Sequence, residues 1–60
     1  MKVEQVIENK TFINEFATFA NDVFSHYGSY DDVYEQYDQF SEGEILVLLD
    51  YCEKNDLLEE

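Results

Sequence analysis

Apolar residues recur every three or four positions through much of the chain, which is the spacing of one face of an α-helix. The clearest series of apolar positions is Phe12, Ile13, Phe16, Phe19, Ala20, Val23, Phe24 and Tyr27. Thr11 precedes this series and is a favourable N-cap type, while Gly28 follows it and suits the left-handed conformation that often ends a helix. The pattern predicts a helix over 11–27.

A second series of apolar positions predicts a helix over 29–40. Its members are Tyr30, Val33, Tyr34, Tyr37 and Phe40. Ser29 with Asp32 three positions later is a variant of the capping box, in which Glu or Gln is the preferred partner. The tyrosines also favour a strand. Helix is the better interpretation, because the strict alternation of a half-buried strand is missing.

A third helix is predicted over 41–55. Ser41 and Glu44 stand at the spacing of a capping box, and Asn55 is a suitable stop, beyond which Leu57 and Leu58 are expected to fold back. The apolar face of this helix consists of Ile45, Leu48, Leu49 and Cys52.

The N-terminal segment 2–9 has apolar residues that fit one face of a short helical turn, although a strand is also possible. Together the patterns predict an all-α fold, a small three-helix bundle with a short N-terminal helical turn, formed by residues 1–60 as a single domain. The expected core residues are Phe16, Phe19, Val23, Ile45, Leu48 and Leu49.

The small size of the chain limits how it can be stabilised. A domain of 60 residues buries only about 60% of its unfolded surface, so its core is marginal. Cys52 is the single cysteine, which excludes an internal disulfide, and His26 is the single histidine, so no zinc-binding cluster is present. A second subunit or a protein partner is the remaining means of support.

The charge balance narrows the class of partner. The chain has 15 acidic residues against 3 basic ones, all lysine, and a formal net charge of −12. Such a chain repels the phosphates of nucleic acids and anionic membranes, and it suits a basic protein surface. A hydrophobic fraction of 45% and an aromatic fraction of 17% argue against disorder.

The apolar segments are short. The longest unbroken apolar run, 45–49, is far below the length of a membrane span, and the first residues lack the hydrophobic region of a signal peptide. We therefore expect a complete, cytoplasmic protein, which agrees with the single cysteine.

No pattern in the sequence predicts catalysis, a cofactor or a metal site. Cys52 lies on an apolar face and is expected to be a small buried residue, while His26 lies near a helix C-terminus and is expected to have a structural role. Residues 31–42 have the length of an EF-hand loop. Val33, however, occupies the position that requires Asp or Asn, and Gln36 occupies the position that requires Gly. We expect a protein that is not an enzyme.

The predicted 29–40 helix carries an acidic row. Asp31, Glu35 and Asp38 stand at i, i+4 and i+7, which places them within about 60° of each other around the helix. No lysine at a neighbouring position compensates them, and each like-charge pair costs an isolated helix about 0.2–0.5 kcal/mol. Either this is a solvated face that serves solubility, or it binds a partner. The candidate partner-binding residues are Asp31, Asp32, Tyr34, Glu35, Asp38, Glu42 and Glu44.

A rigid row of carboxylates can imitate the phosphates of a nucleic acid, and tyrosines add contact area. In its size, charge and aromatic content, the chain resembles the small DNA-mimic inhibitors that phages and plasmids encode. The resemblance implies an anti-defence or regulatory protein that occupies the DNA- or RNA-binding surface of a basic host protein. From its charge we expect no direct binding to nucleic acid.

The 41–55 helix supplies an alternative. Val47 and Tyr51 point away from its apolar face, so either segment 2–9 covers them or a second subunit does, and the small core slightly favours a homodimer. In this alternative the protein is a helical adaptor or antitoxin-like module that docks through the hydrophobic 41–58 region, and its acidic residues serve only solubility.

Overall fold

The computed structural model describes residues 3–58, which form four α-helices and no strand. The helices are α1 (Val3–Ile7), α2 (Lys10–Tyr27), α3 (Asp31–Gln36) and α4 (Glu42–Lys54). The predicted all-α small bundle is confirmed. The N-terminal segment is helical rather than extended and forms a short helix of its own. The described bundle therefore has four helices instead of three. Residue 2 of the N-terminal segment lies outside the described range.

Helix α2 begins earlier than the sequence pattern predicts. Its N-cap is Asn9, whose side-chain oxygen accepts a hydrogen bond from the Phe12 N–H at 3.1 Å. The predicted cap at Thr11 is therefore wrong, because Asn9 caps as well as threonine does and lies two positions earlier. The predicted end is confirmed: Gly28 adopts φ 70°, and its N–H donates to the Phe24 carbonyl oxygen at 2.8 Å.

Helix α3 is much shorter than the predicted 29–40. It is preceded by Tyr30 at the N-cap, which makes no side-chain capping bond, so the predicted cap at Ser29 is wrong. The helix ends at Gln36, and Tyr37 already has φ −109° and ψ 50°. A helix of 6 residues without a side-chain cap gains little from its own hydrogen bonds, and tertiary contacts decide its length.

Two aromatic side chains hold the turn 37–40 against α2. The ring centroid of Tyr37 lies 5.0 Å from that of Phe16 and 5.7 Å from that of Phe12. Phe40 is buried, and its ring centroid lies 6.0 Å from that of Phe12. Each such pair contributes about 0.5–1.5 kcal/mol beyond its buried area. We attribute the early end of α3 to these contacts, because they compete with the few hydrogen bonds that another helical turn would add.

Helix α4 begins and ends as predicted. Its capping box is complete: the Glu44 N–H donates to Ser41 Oγ at 3.3 Å, and the Ser41 N–H donates to Glu44 Oε1 at 2.8 Å. Asn55 is the C-cap. The predicted return of the tail is also present, since the Leu57 N–H donates to the Cys52 carbonyl oxygen at 2.8 Å. The Leu57 carbonyl oxygen in turn accepts a bond from the side chain of Asn21 in α2 at 2.9 Å.

All four helices and the turn before α4 contribute residues to the core. Its buried members are Val6, Ile13, Phe16, Ala17, Ala20, Val23, Val33, Phe40, Ile45, Leu48, Leu49 and Cys52. Five of the six predicted core residues are among them; the sixth, Phe19, is only half-buried at the edge, where its ring contacts Tyr37. Between residues 3 and 58, no helix has the length and hydrophobicity that crossing a membrane requires.

We predict that Leu48→Ala lowers the free energy of unfolding by about 2–5 kcal/mol, because it leaves a cavity at a fully buried position. Urea denaturation followed by circular dichroism measures this loss. Leu46→Ala is the matched control in the same helix, since Leu46 is 53% exposed, and it should change stability far less. Equal effects of the two substitutions would contradict the core assignment.

The two glycines should respond in opposite directions to alanine. Gly28→Ala is expected to destabilise the protein by about 1–2 kcal/mol, because a side chain disfavours positive φ. Gly43→Ala should stabilise it by about 0.4–1 kcal/mol, since Gly43 is helical and a Cβ there meets no atom within 4 Å. Thermal unfolding of both variants tests the prediction, and a gain for Gly28→Ala would refute it.

Candidate acidic interaction surface

Helix α3 and the start of α4 enclose a shallow groove of about 350 Å³. Its lining residues are Asp31, Tyr34, Glu35, Phe40 and Glu42. We call this feature the acidic groove. It unites four of the seven predicted partner-binding residues with one residue, Phe40, that the sequence pattern had identified only as an apolar helical position.

The aromatic turn 37–40 positions the two sides of the acidic groove. Asp31 and Glu35 stand one helical turn apart in α3, and Glu42 is the first residue of α4. Because Tyr37 and Phe40 hold the turn against α2, the beginning of α4 returns beside α3. Carboxylates from two separate helices therefore border one concave surface.

The carboxylates of the acidic groove are exposed, and no cation of the described residues 3–58 pairs with them. Asp31, Glu35 and Glu42 are all exposed. Among residues 3–58, Lys54 forms an ion pair with Asp50 and the His26 ring lies 3.6 Å from the Asp22 carboxylate, and both contacts are outside the groove. The groove therefore presents an uncompensated negative surface.

Carboxylates on both sides of the acidic groove affect the pKa of Tyr34. Its pKa is raised above the ordinary value near 10, chiefly because burial desolvates the phenol and then because of the negative charges of Glu42 and Asp31. These two carboxylates belong to different helices. The Tyr34 phenol thus stays neutral at physiological pH and can donate a hydrogen bond to a ligand in the groove.

Three predicted residues do not line the acidic groove. Asp38 lies in the turn beyond Gln36, so the predicted helical row at i, i+4 and i+7 is wrong: α3 ends before its third member. Glu44 is half-buried and bound in the capping box, which gives it a structural role. Asp32 is exposed in the first turn of α3, where a negative charge favours the helix dipole.

The two residues of the alternative docking face have different surroundings. Tyr51 is half-buried and, with Ile7 of α1 and Leu57 of the tail, lines a second cleft of about 240 Å³. The N-terminal helix therefore helps to cover Tyr51. Cover by segment 2–9 was one of the two alternatives that the sequence left open, and a second subunit was the other. Val47 is 50% exposed, and the neighbouring Leu46 is 53% exposed, so neither side chain is covered.

Cys52 and His26 occupy different environments. Cys52 is fully buried, and burial raises the pKa of its thiol, which disfavours the reactive thiolate. His26 is exposed at the end of α2, where its Nδ1 lies 3.0 Å from the Asp22 carbonyl oxygen. Over the described range 3–58, no group of three or more His, Cys, Asp or Glu side chains is arranged to hold a metal ion.

Comparisons with known proteins identify no relative, so the geometry of the acidic groove is the basis for inferring function. No protein-family model matches the chain, and neither a curated protein nor a solved structure matches it significantly.

We predict that Glu42→Gln lowers the pKa of Tyr34 towards, but not to, its ordinary value, because burial and Asp31 still raise it. Nuclear magnetic resonance of the Tyr34 ring through alkaline pH measures the change. Glu44→Gln is the matched control, since glutamine also completes a capping box and Glu44 does not contribute to the Tyr34 shift. A larger shift in the control than in Glu42→Gln would contradict the groove geometry.

The same raised pKa predicts a loss of stability at high pH. The folded state holds the Tyr34 proton more tightly than the unfolded chain does, so the contribution of Tyr34 is fully present below pH 10. It is lost as the pH rises through the folded pKa. Denaturation of the Glu42→Gln variant at alkaline pH should show a smaller loss from this residue.

Proposed function

We propose that the protein is a non-enzymatic inhibitor or regulator, which binds a basic, nucleic-acid-binding surface of a partner protein through the acidic groove. The observation that carries the proposal is the convergence of Asp31, Glu35 and Glu42 on one exposed groove, where no cation of residues 3–58 pairs with them. The mechanism is occlusion: while the groove covers the basic surface, nucleic acid is kept away from it.

The charge of the whole chain supports this mechanism. A net charge of −12 on 60 residues attracts a basic protein at long range and accelerates encounter. The same charge opposes direct binding to nucleic acid. Because exposed charges are screened over about 8 Å at physiological ionic strength, binding should weaken as salt rises.

The negative potential of the acidic groove supports phosphate mimicry, whereas a regular spacing of carboxylates does not. With Asp38 outside α3, no regular row of three carboxylates follows the helix, and the imitation depends on the negative potential of the groove. The resemblance to phage- and plasmid-encoded DNA mimics supplies the class of target. That class is a cytoplasmic host defence or transcription protein with a basic nucleic-acid site.

The exposed Val47 favours a second candidate function, an adaptor that docks through the outer face of α4. In that function the acidic groove is a solvated surface. A homodimer through this face would bring two chains of charge −12 together, and their repulsion opposes it.

A charge-matched pair of variants tests the proposed function. The groove variant combines Asp31→Asn, Glu35→Gln and Glu42→Gln. The control combines Glu4→Gln, Glu8→Gln and Asp56→Asn at exposed positions away from the groove, so both have a net charge of −9, three units above the −12 of the original chain. The partner is a protein captured from host lysate at low salt, and the dissociation constant is measured at two salt concentrations.

We expect the groove variant to lose about 0.6–3 kcal/mol of binding free energy, a roughly 3- to 150-fold loss of affinity, since three exposed ion pairs are removed. Its salt dependence should flatten, whereas the control should bind almost normally. Equal losses in both variants would show that only net charge matters, and no loss in the groove variant would reject the groove as the binding surface. Nucleic acid bound by the partner should compete with the original chain.

A further inference from the structure

Leu46 is an exposed apolar residue on the same side of α4 as Glu42. It stands four positions after Glu42, so the two side chains lie within about 40° of each other and about 6 Å apart along the helix axis. Glu42 lines the groove, and Leu46 is 53% exposed. The buried residues Ile45 and Leu49 mark the inner side of the helix, and Leu46 lies outside it, on the same flank as Glu42.

Val47 is as exposed as Leu46 but faces elsewhere. It is 50% exposed and lies a further 100° or so around α4, on the outer side with Lys54 and away from Glu42. The two neighbouring apolar residues therefore belong to different surfaces. This difference allows each surface to be tested separately.

The acidic groove also contains apolar surface. The half-buried ring of Tyr34 and the buried ring of Phe40 line the groove together with its carboxylates. Together with Leu46 they give the surface a mixed character, in which negative side chains border apolar ones. A purely ionic partner such as an extended lysine chain would leave this apolar part unused.

We propose that the acidic groove and Leu46 together dock a basic amphipathic helix of the partner protein, in which a lysine or arginine and an apolar side chain stand one turn apart on the same face. The inference rests on the proposed function and specifies the segment that is bound. A helix lying along α4 repeats the spacing of about 6 Å between Glu42 and Leu46. An amphipathic helix in a groove is a recurrent mode of protein recognition.

Charge complementarity selects this occupant over a second copy of the chain. A cationic helix neutralises Asp31, Glu35 and Glu42, while its apolar residue covers Leu46. A second copy would add another net charge of −12 to the same surface. The acidic rim therefore favours a partner of opposite charge.

Two synthetic helical peptides of identical composition provide the probes. In the first, lysine and leucine alternate at i and i+4 along one face; in the second, the same residues are placed on opposite faces. Each is titrated into the full chain and into Leu46→Gln, Val47→Gln and the groove variant, by calorimetry at two salt concentrations. Circular dichroism confirms that each variant keeps its helix content.

The original chain should bind the first peptide more tightly than the second. Leu46→Gln should weaken binding of the first peptide roughly 4- to 12-fold, the value of covering about half of a leucine side chain, with an unchanged salt dependence. Val47→Gln should bind as the original chain does. The groove variant should bind both peptides weakly, with a flattened salt dependence.

Other outcomes separate the two proposals. If the groove variant loses affinity and Leu46→Gln does not, the proposed function stands and the amphipathic helix is rejected. If the groove variant binds normally, the proposed function itself fails. If Val47→Gln weakens binding while Leu46→Gln does not, the outer face of α4 is the docking site and the inference is overturned. A dimer that Leu46→Gln dissociates would assign the surface to a second copy and also overturn it.

Discussion

The packing of two aromatic side chains, Tyr37 and Phe40, against helix α2 is the interaction on which the rest of the structure depends. Their rings meet those of Phe12 and Phe16, and this contact ends α3, shapes the turn and returns the chain towards α4. Without it the predicted longer helix would carry the start of α4 away from α3. The convergence of carboxylates in the acidic groove is thus a consequence of an aromatic contact on the other side of the turn.

Two features that the sequence predicted correctly are determined by neighbouring residues. The left-handed Gly28 and the capping box of α4 depend on hydrogen bonds across three or four positions, and such bonds leave a local signature. The end of α3 does not. Tyr37 and Phe40 stand at helical spacing from Val33, so the same apolar pattern fits a continued helix and a turn that packs both rings. Only the position of α2 decides between them.

The candidate site was predictable in its residues but not in its arrangement. Charge and spacing identified Asp31, Glu35 and Glu42 as members of one negative surface. The same criteria also assigned Asp38 to this surface, but α3 ends before Asp38 and the residue does not line the groove. A wheel drawn for one helix cannot show a groove between two. The surface is also separate from the core: between residues 3 and 58 no polar or charged side chain is buried, so the carboxylates that would act on a partner are not those that maintain the fold.

Because Cys52 is buried, alkylation of its thiol can measure how often the folded protein opens. The Cys52 thiol is fully buried, and burial raises its pKa. An alkylating reagent therefore reaches it only when the packing around α4 opens. The rate of labelling in native buffer therefore follows the population of open molecules. Since Cys52 is the single cysteine, the signal comes from one place, and a ligand that docks on α4 would be detected as slower alkylation without any added probe.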